Sequence, residues 1–154
     1  MVALAEGPGR VLHPRELLPS VEEREALCST ALPGGLALLH ARHHTAYRFD
    51  GSFVVRGRTV QTVPFGAPDR GSTLLFFLVC CDDDRIHLPT LARLCLLTMK
   101  TDLVAQLLRA PDADTAYEAL VNAERAVLPP PAEQKLSRSK RRRASDDDAS
   151  SPQT

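Results

Sequence analysis

The stretch that decides the fold is Gly34-Gly35-Leu36-Ala37-Leu38-Leu39-His40-Ala41-Arg42-His43-His44. A glycine pair leads into the apolar run Leu36 to Leu39, whose length is typical of a short buried strand. The polar segment from His40 to Tyr47 then indicates a loop. His40 is therefore predicted to stand at the carboxyl end of a strand, where the ligand sites of open α/β sheets gather.

Two more strands and a turn-rich segment follow this run. Thr73 to Cys81 is apolar without alternation, as expected of a central strand covered on both faces. Phe53 to Val55 is a second strand candidate, and residues 63–71 hold the prolines and glycines of an irregular turn. Because these strands alternate with helical patterns, we predict an α/β sandwich.

Helix signals surround the strands. Ser20 and Glu23 have the form of a capping box, which predicts a helix from about residue 20 to Cys28 with Arg24 on it. Residues 1–19 contain Gly7-Pro8-Gly9 and Pro19, and we expect a short irregular lead there. The predicted domain spans residues 20–128, and residues 129–154 are predicted to be a disordered tail rich in Pro, Ser, Arg and Asp.

Three helices are predicted after the last strand. Asp82-Asp83-Asp84 places negative charge where a helix dipole favours it, and Pro89 suits the first turn of a helix from Leu88. A short helix near Leu103 follows, and Asp112 can cap the last one. The apolar spacing predicts two inner faces, first Leu88, Leu91, Ala92, Cys95, Leu96 and Met99, then Ala116, Tyr117, Leu120, Val121 and Ala123.

Length and composition set limits on the class of protein. The 154 residues fit one domain with a tail, and the formal net charge is zero. No apolar run is long enough for a membrane span, and no signal peptide is visible, so we expect no direct membrane insertion. The four cysteines lie in apolar stretches without framework spacing, which predicts buried thiols and a cytoplasmic location.

Several motifs have competing interpretations. His40-x-x-His43-His44 fits no strong zinc pattern, so solvated loop histidines are favoured over a metal site. Burial explains Cys80-Cys81 better than a redox pair, because adjacent cysteines close a disulfide only with strain. The basic run Lys135 to Arg143 lacks aromatic residues and precedes three aspartates, which favours a solvated tail over nucleic-acid binding. His40 itself reads locally as a histidine that ends a strand or as a nucleophile.

The segment from Arg24 to about Glu124 resembles the type 2 (fructose/mannitol) IIA domain of the bacterial sugar phosphotransferase system, a class that includes the nitrogen-regulatory IIA proteins. The likeness rests on the spacings from Arg24 to His40 and from His40 to His87, and on five blocks of sequence. These blocks are Arg24-Glu25 with Ser29-Thr30, Gly35 to Leu38 with His40 to Arg42, Val63 to Asp69, Leu75 to Cys81, and Asp84 to Leu88 with Leu91 to Leu94. The resemblance implies a small mixed sheet flanked by helices.

The resemblance also implies roles. His40 would be the phosphorylated histidine, with Arg24 and His87 as its pocket partners and with no metal or other cofactor. A phosphohistidine carrier protein (HPr-like) would supply the phosphate. A IIB domain or a regulatory target would receive it or respond to it, and no nucleic acid would take part.

This sequence departs from the family in three places. Leu39 stands where the family usually has proline before the active histidine, and Ala31 and Pro33 replace glycines. Only 23 residues precede Arg24, so we expect the family's first strand and helix to be missing, and we expect the exposed sheet to favour self-association. Leu39 and the short N-terminal segment motivate the alternative of a degenerate, non-catalytic regulatory interaction domain.

Overall fold

The computed structural model describes residues 1–41 and 49–127, and the predicted tail lies outside them. Four strands form one mixed sheet in the order β1-β2-β4-β3, with helices on both faces. The elements are α1 (Val2–Glu6), α2 (Pro14–Leu27), β1 (Ala31–Leu32), β2 (Leu36–His40), β3 (Phe53–Val63), β4 (Thr73–Cys80), α3 (Asp84–Lys100), α4 (Leu103–Arg109) and α5 (Ala113–Val127). The predicted α/β class, a small mixed sheet flanked by helices, is confirmed.

The central pairing joins β2 and β4 in parallel, with Leu36 opposite Leu75 and His40 opposite Val79. The β1 strand pairs with β2 and β3 pairs with β4, both antiparallel. The strand predicted at Phe53 to Val55 is present but runs on to Val63 along one edge of the sheet. The expected self-association at an exposed edge stays a prediction.

Two hydrophobic cores lie on opposite faces of the sheet, since alternate residues of a strand point to opposite sides. Leu75, Phe77 and Val79 of β4 pack with α3, α4 and α5. Phe76 and Leu78 of the same strand pack with residues of α1 and α2. The lack of alternation in this strand therefore reflects helices on both faces, as predicted.

The first part of the chain is more helical than predicted. The helix that carries Arg24 begins at Pro14 and continues through Pro19, and α1 precedes it, so the expectation of an irregular lead over residues 1–19 was wrong. Proline forfeits one hydrogen bond inside a helix. Here Leu17 and Val21 are both buried on either side of Pro19, and their packing keeps the helix continuous. Ser20 lies inside α2 and does not cap it.

Before α2, the only strand-like contact in residues 1–13 is a bridge between Val11 and Phe49. Val11 is buried, and it belongs to the same core as Leu17 and Val21. A single bridge therefore joins the chain before α2 to Phe49.

The α3 helix begins four residues before the predicted start. The Oδ1 atom of Asp83 accepts the Arg85 N–H at 2.8 Å, so Asp83 is the cap, and Pro89 lies beyond the first turn. The buried residues of α3 are His87, Leu94 and Leu97. The predicted inner face was wrong at its first and last residues, because Leu88 is 70% and Met99 79% exposed.

The last helix, α5, also turns slightly from its predicted orientation. Its cap is as predicted, since Asp112 Oδ1 accepts the Thr115 N–H at 2.8 Å. The buried residues are Ala116, Ala119 and Ala123, whereas Tyr117 is 68% exposed. The predicted inner face was therefore right at Ala116 and Ala123, missed Ala119 and was wrong at Tyr117.

Replacing a central core side chain tests this architecture. Phe77 is 1% exposed in the middle of β4, so Phe77→Ala should lower the free energy of unfolding by about 3–5 kcal/mol. Urea denaturation followed by circular dichroism measures the difference. Val60→Ala, at a fully exposed position of β3, is the control and should change stability much less. Equal losses in the two variants would contradict the assignment of the core.

Candidate functional site at the carboxyl end of strand β2

Three segments of the chain meet where β2 ends. The parallel register places His40 opposite Val79, one residue before β4 ends at Cys80. The chain then enters α3, whose fourth residue is His87. The last turns of α2 bring Arg24 to the same place from the other side. The three residues predicted to converge therefore do converge.

Hydrogen bonds on both ring nitrogens orient His40. Its Nδ1 lies 2.9 Å from the Leu38 carbonyl oxygen, and Arg24 Nε lies 2.9 Å from its Nε2. A carbonyl only accepts and a guanidinium only donates, so the ring carries its proton on Nδ1 and a lone pair on Nε2. The nucleophilic atom of this imidazole is therefore Nε2, the one beside Arg24.

The guanidinium of Arg24 is itself anchored. Its Nη1 donates to the Cys28 carbonyl at 2.9 Å, one turn further along the chain. Arg24 thus bonds a carbonyl at the C-terminal end of α2 as well as the histidine. The helix dipole also favours a cation at that end.

The second histidine forms a wall of the site. His87 is 7% exposed, and its ring centroid lies 5.1 Å from that of His40 with the planes inclined at 54°. The His87 N–H donates to the Asp83 carbonyl at 3.3 Å, which belongs to the capped first turn of α3. This bond involves the backbone N–H, so the turn holds the backbone of His87 at the point from which its ring lies beside that of His40.

Two residues of the site had no role assigned from the sequence. Both carboxylate oxygens of Glu25 accept the Thr30 N–H, at 3.0 and 3.1 Å, and Oε2 also accepts the Thr30 hydroxyl at 2.6 Å. The Thr30 carbonyl accepts the Leu38 N–H at 3.1 Å. The signal was present as an Arg-Glu pair followed by Ser-Thr, but no local rule links Glu25 to the strand.

The turn-rich segment 63–71 supports the loops beneath the histidine. The Ser29 hydroxyl donates to the Phe65 carbonyl. Asp69 accepts the N–H groups of Gly34 and Gly71 at 3.1 and 2.9 Å. Gly34 has a φ of +88°, a value that favours glycine, and the turn it forms leads directly into β2.

The hydrogen bonds from these two backbone N–H groups lower the pKa of Asp69 from its usual value of 3.8, with the larger effect from Gly71 and the smaller from Gly34. The ionised carboxylate is the form that accepts both bonds. The negative charge of Asp69 therefore helps to hold the turn before β2.

The four cysteines differ in exposure. Cys80 and Cys81 are buried, as predicted, and desolvation raises the pKa of Cys80 to about 12, so its thiol stays protonated at neutral pH. Cys28 is exposed beside the site and Cys95 is partly exposed, which corrects the expectation that all four thiols are buried. Cys28 lies at the end of α2, where the chain leaves the core.

The remaining site hypotheses concern metals and membranes. His43 and His44 lie outside the described residues, and in residues 1–41 and 49–127 no group of His, Cys, Asp or Glu is placed to hold a metal ion. None of the helices in that part of the chain has the length and apolar character needed to span a bilayer.

A model of the phosphoenolpyruvate-dependent sugar phosphotransferase system EIIA 2 family matches residues 1–123. The chain belongs to this family. The match begins at residue 1, so it includes the segment before α2. None of the curated proteins matches the chain.

Solved structures of IIA proteins share the fold. The nitrogen regulatory protein IIA-Ntr from Neisseria meningitidis is 25% identical, with 70% of this chain and 73% of that chain covered and a TM-score of 0.62. IIA mannitol from Escherichia coli is 21% identical, with 73% and 78% covered and a TM-score of 0.62. The same Escherichia coli protein in complex with phosphorylated IIB mannitol is 20% identical, with 75% and 78% covered and a TM-score of 0.62.

Within this EIIA domain, Leu39 is the residue that departs from the proline expected before the histidine. Leu39 is 8% exposed, lies opposite Leu78 in the parallel pairing, and belongs to the core beneath α1 and α2. Leucine keeps the backbone N–H that proline lacks, and β2 continues through it to His40. The residue before the histidine thus contributes apolar packing.

The two hydrogen bonds that Asp69 accepts from Gly34 and Gly71 predict a pH dependence of stability. Because folding lowers the pKa of Asp69, its stabilising effect is complete above the unfolded pKa near 3.8 and is lost as the pH falls through the folded value. Asp69→Asn keeps one acceptor oxygen but no charge. The difference in unfolding free energy between wild type and Asp69→Asn should be constant from about pH 5 to 7 and should shrink below that.

Urea denaturation at a series of pH values measures this difference. A difference that stays constant down to pH 2 would show that the charge of Asp69 does not hold the turn.

Proposed function

We propose that this domain is a phosphoryl carrier that accepts phosphate on Nε2 of His40 and passes it on or signals by its phosphorylation state. The observation that carries the proposal is the neutral imidazole held at both nitrogens, with Arg24 at the nucleophilic one. Membership of the EIIA 2 family supports a role in phosphoryl transfer. Arg24 and His87 are proposed as the residues that stabilise the transferred group.

The transfer can be written from the tautomer. The Nε2 lone pair attacks phosphorus, and the donor's N–P bond breaks with its electron pair returning to the donor imidazole. Nδ1 keeps its proton, so the ring becomes cationic, and the Leu38 carbonyl, which accepts a hydrogen bond from Nδ1–H with its oxygen 2.9 Å from Nδ1, stabilises the new charge. A neutral imidazole is nucleophilic near pH 7, which suits reversible transfer.

The phosphoryl group in flight spreads negative charge over its oxygens, so the protein mainly positions and stabilises it. In the resting site Arg24 donates to Nε2 itself, and this contact must yield as the phosphate approaches. Its N–H groups then face the phosphate oxygens, with the bond to the Cys28 carbonyl as a pivot. His87, whose ring lies beside that of His40, limits the other side of the phosphate pocket.

The proposed partners follow from the family. A phosphohistidine carrier protein (HPr-like) would donate the phosphate, and a IIB domain or a regulatory protein would respond to it. A IIA structure solved with phosphorylated IIB supports the IIB partner, and the nitrogen regulatory neighbour supports the regulatory role. The described cysteines are free, which suits a reducing compartment, and we place the carrier in the cytoplasm.

Phosphorylation of the purified protein tests the nucleophile. Incubation with phosphoenolpyruvate and the general phosphotransferase proteins should give acid-labile phosphate on wild type and none on His40→Ala. His13→Ala is the matched control, because His13 is exposed immediately before α2 and should leave labelling unchanged.

Two results would contradict this assignment. Labelling that persists in His40→Ala would place the phosphate on another residue. A folded wild type that accepts no phosphate would refute the carrier and favour the degenerate regulatory domain.

The role of Arg24 has its own test. A charge-assisted hydrogen bond contributes about 1.5–3 kcal/mol, so Arg24→Ala should fold normally and slow acceptance by roughly 10- to 150-fold. Arg24→Lys should recover only part of this loss, because lysine lacks the planar fork. Arg15→Ala, at an exposed position of the same helix, controls for the change in charge. Phosphate acceptance by Arg24→Ala at the wild-type rate would remove Arg24 from the mechanism.

A further inference from the structure

We propose that Glu25 is a positioning residue for phosphoryl transfer, which acts through Thr30 and the Leu38 backbone to hold the His40 ring with Nε2 toward Arg24. This inference rests on the proposed function. It assigns a task to a carboxylate that touches neither the imidazole nor the phosphate, at the start of a continuous series of hydrogen bonds that ends on Nδ1 of His40.

The first link joins Glu25 to Thr30. The carboxylate receives the backbone N–H at 3.0 and 3.1 Å and the hydroxyl at 2.6 Å, so one charged group holds two donors of one residue. Thr30 is 7% exposed. Charge-assisted bonds to a buried residue are stronger than neutral ones and leave little freedom for the chain where it leaves α2.

The second link passes from Thr30 to the strand. The Thr30 carbonyl accepts the Leu38 N–H at 3.1 Å, next to the β1–β2 pairing in which Ala31 lies opposite Ala37. The Leu38 carbonyl then accepts Nδ1–H of His40. Displacement of Thr30 therefore moves the residue whose carbonyl selects the tautomer.

Arg24 and Glu25 are adjacent in α2 and act on opposite sides of the His40 ring. Consecutive residues of α2 act on the two ring nitrogens, Arg24 directly on Nε2 and Glu25 through Thr30 on the side of Nδ1. The spacing between the two contacts is set by one helix and one strand. If Nδ1 lost its acceptor, the proton would be shared between the nitrogens, and Nε2 would carry a lone pair for less of the time.

Two measurements on a set of single variants test the proposal. ¹⁵N NMR reports which nitrogen of His40 carries the proton, and rapid-quench labelling with the phosphorylated carrier protein separates the transfer rate from the carrier concentration that half-saturates it. The variants are Glu25→Ala, Glu25→Gln, Thr30→Val and Thr30→Ser. Glu22→Ala, an exposed glutamate of the same helix, is the matched control.

Wild type should show a proton on Nδ1 and a bare Nε2. Glu25→Ala should mix the tautomers and lower the transfer rate by roughly tenfold to a hundredfold, with the half-saturating carrier concentration unchanged. Thr30→Val, which loses the hydroxyl bond but keeps the backbone N–H bonds to Glu25, should act in the same direction to a smaller extent. Glu25→Gln keeps the shape and should lie between wild type and Glu25→Ala. Thr30→Ser, which keeps the hydroxyl, and Glu22→Ala should both behave as wild type.

Because the carboxylate acts through Thr30, the double variant Glu25→Ala/Thr30→Val should be no slower than Glu25→Ala alone. Additive losses would overturn the proposed route. A folded Glu25→Ala or Glu25→Gln variant with the wild-type tautomer and transfer rate would overturn the proposal itself. If wild type accepted no phosphate, the proposed function would fail, whereas the NMR comparison would still decide whether Glu25 orients the ring.

Discussion

The parallel pairing of β2 with β4 is the constraint on which the site depends. It places His40 opposite Val79, so the histidine leaves the sheet where β4 turns into α3. The same pairing is buried between two cores, with Phe77 on one face and Leu78 on the other. A slip of one residue would exchange the two faces and carry His40 away from His87, so burial fixes the register and the register fixes the site.

Around that rigid centre, the site is completed by loops that side chains tie to backbone groups. Glu25 holds the exit from α2, Ser29 holds the segment near Phe65, and Asp69 holds the glycine turn before β2. Each bond satisfies an amide or carbonyl that the sheet and helices leave over. The irregular segments near the histidine are therefore ordered by polar contacts, whereas the helices and strands are ordered by apolar burial.

The resting geometry also explains how one arginine can serve two states. Before transfer, Arg24 faces a neutral nitrogen, and its bond to the Cys28 carbonyl keeps it in place. In the proposed phosphorylated state Arg24 would donate to anionic oxygens, and such hydrogen bonds are stronger than those to a neutral nitrogen. If the proposed transfer takes place, Arg24 would already lie beside the arriving negative charge, and the Leu38 carbonyl would stabilise the positive charge on the ring.

By itself, the sequence determined the fold class, the strands at Leu36 and Thr73, the helix cap at Asp112 and the spacing of Arg24, His40 and His87, because these depend on local patterns and on a family resemblance. It did not determine the continuity of α2 through Pro19 or the inner face of α3. Packing decided those, since burial on both sides of the proline outweighs one lost hydrogen bond.

Only the tertiary structure revealed the contact between Glu25 and Thr30 and the tautomer of His40. Neither follows from sequence periodicity. Glu25 bonds Thr30 where the chain leaves α2, and the tautomer of His40 is set by Leu38 of its own strand together with Arg24, which reaches Nε2 only when α2 packs against β2.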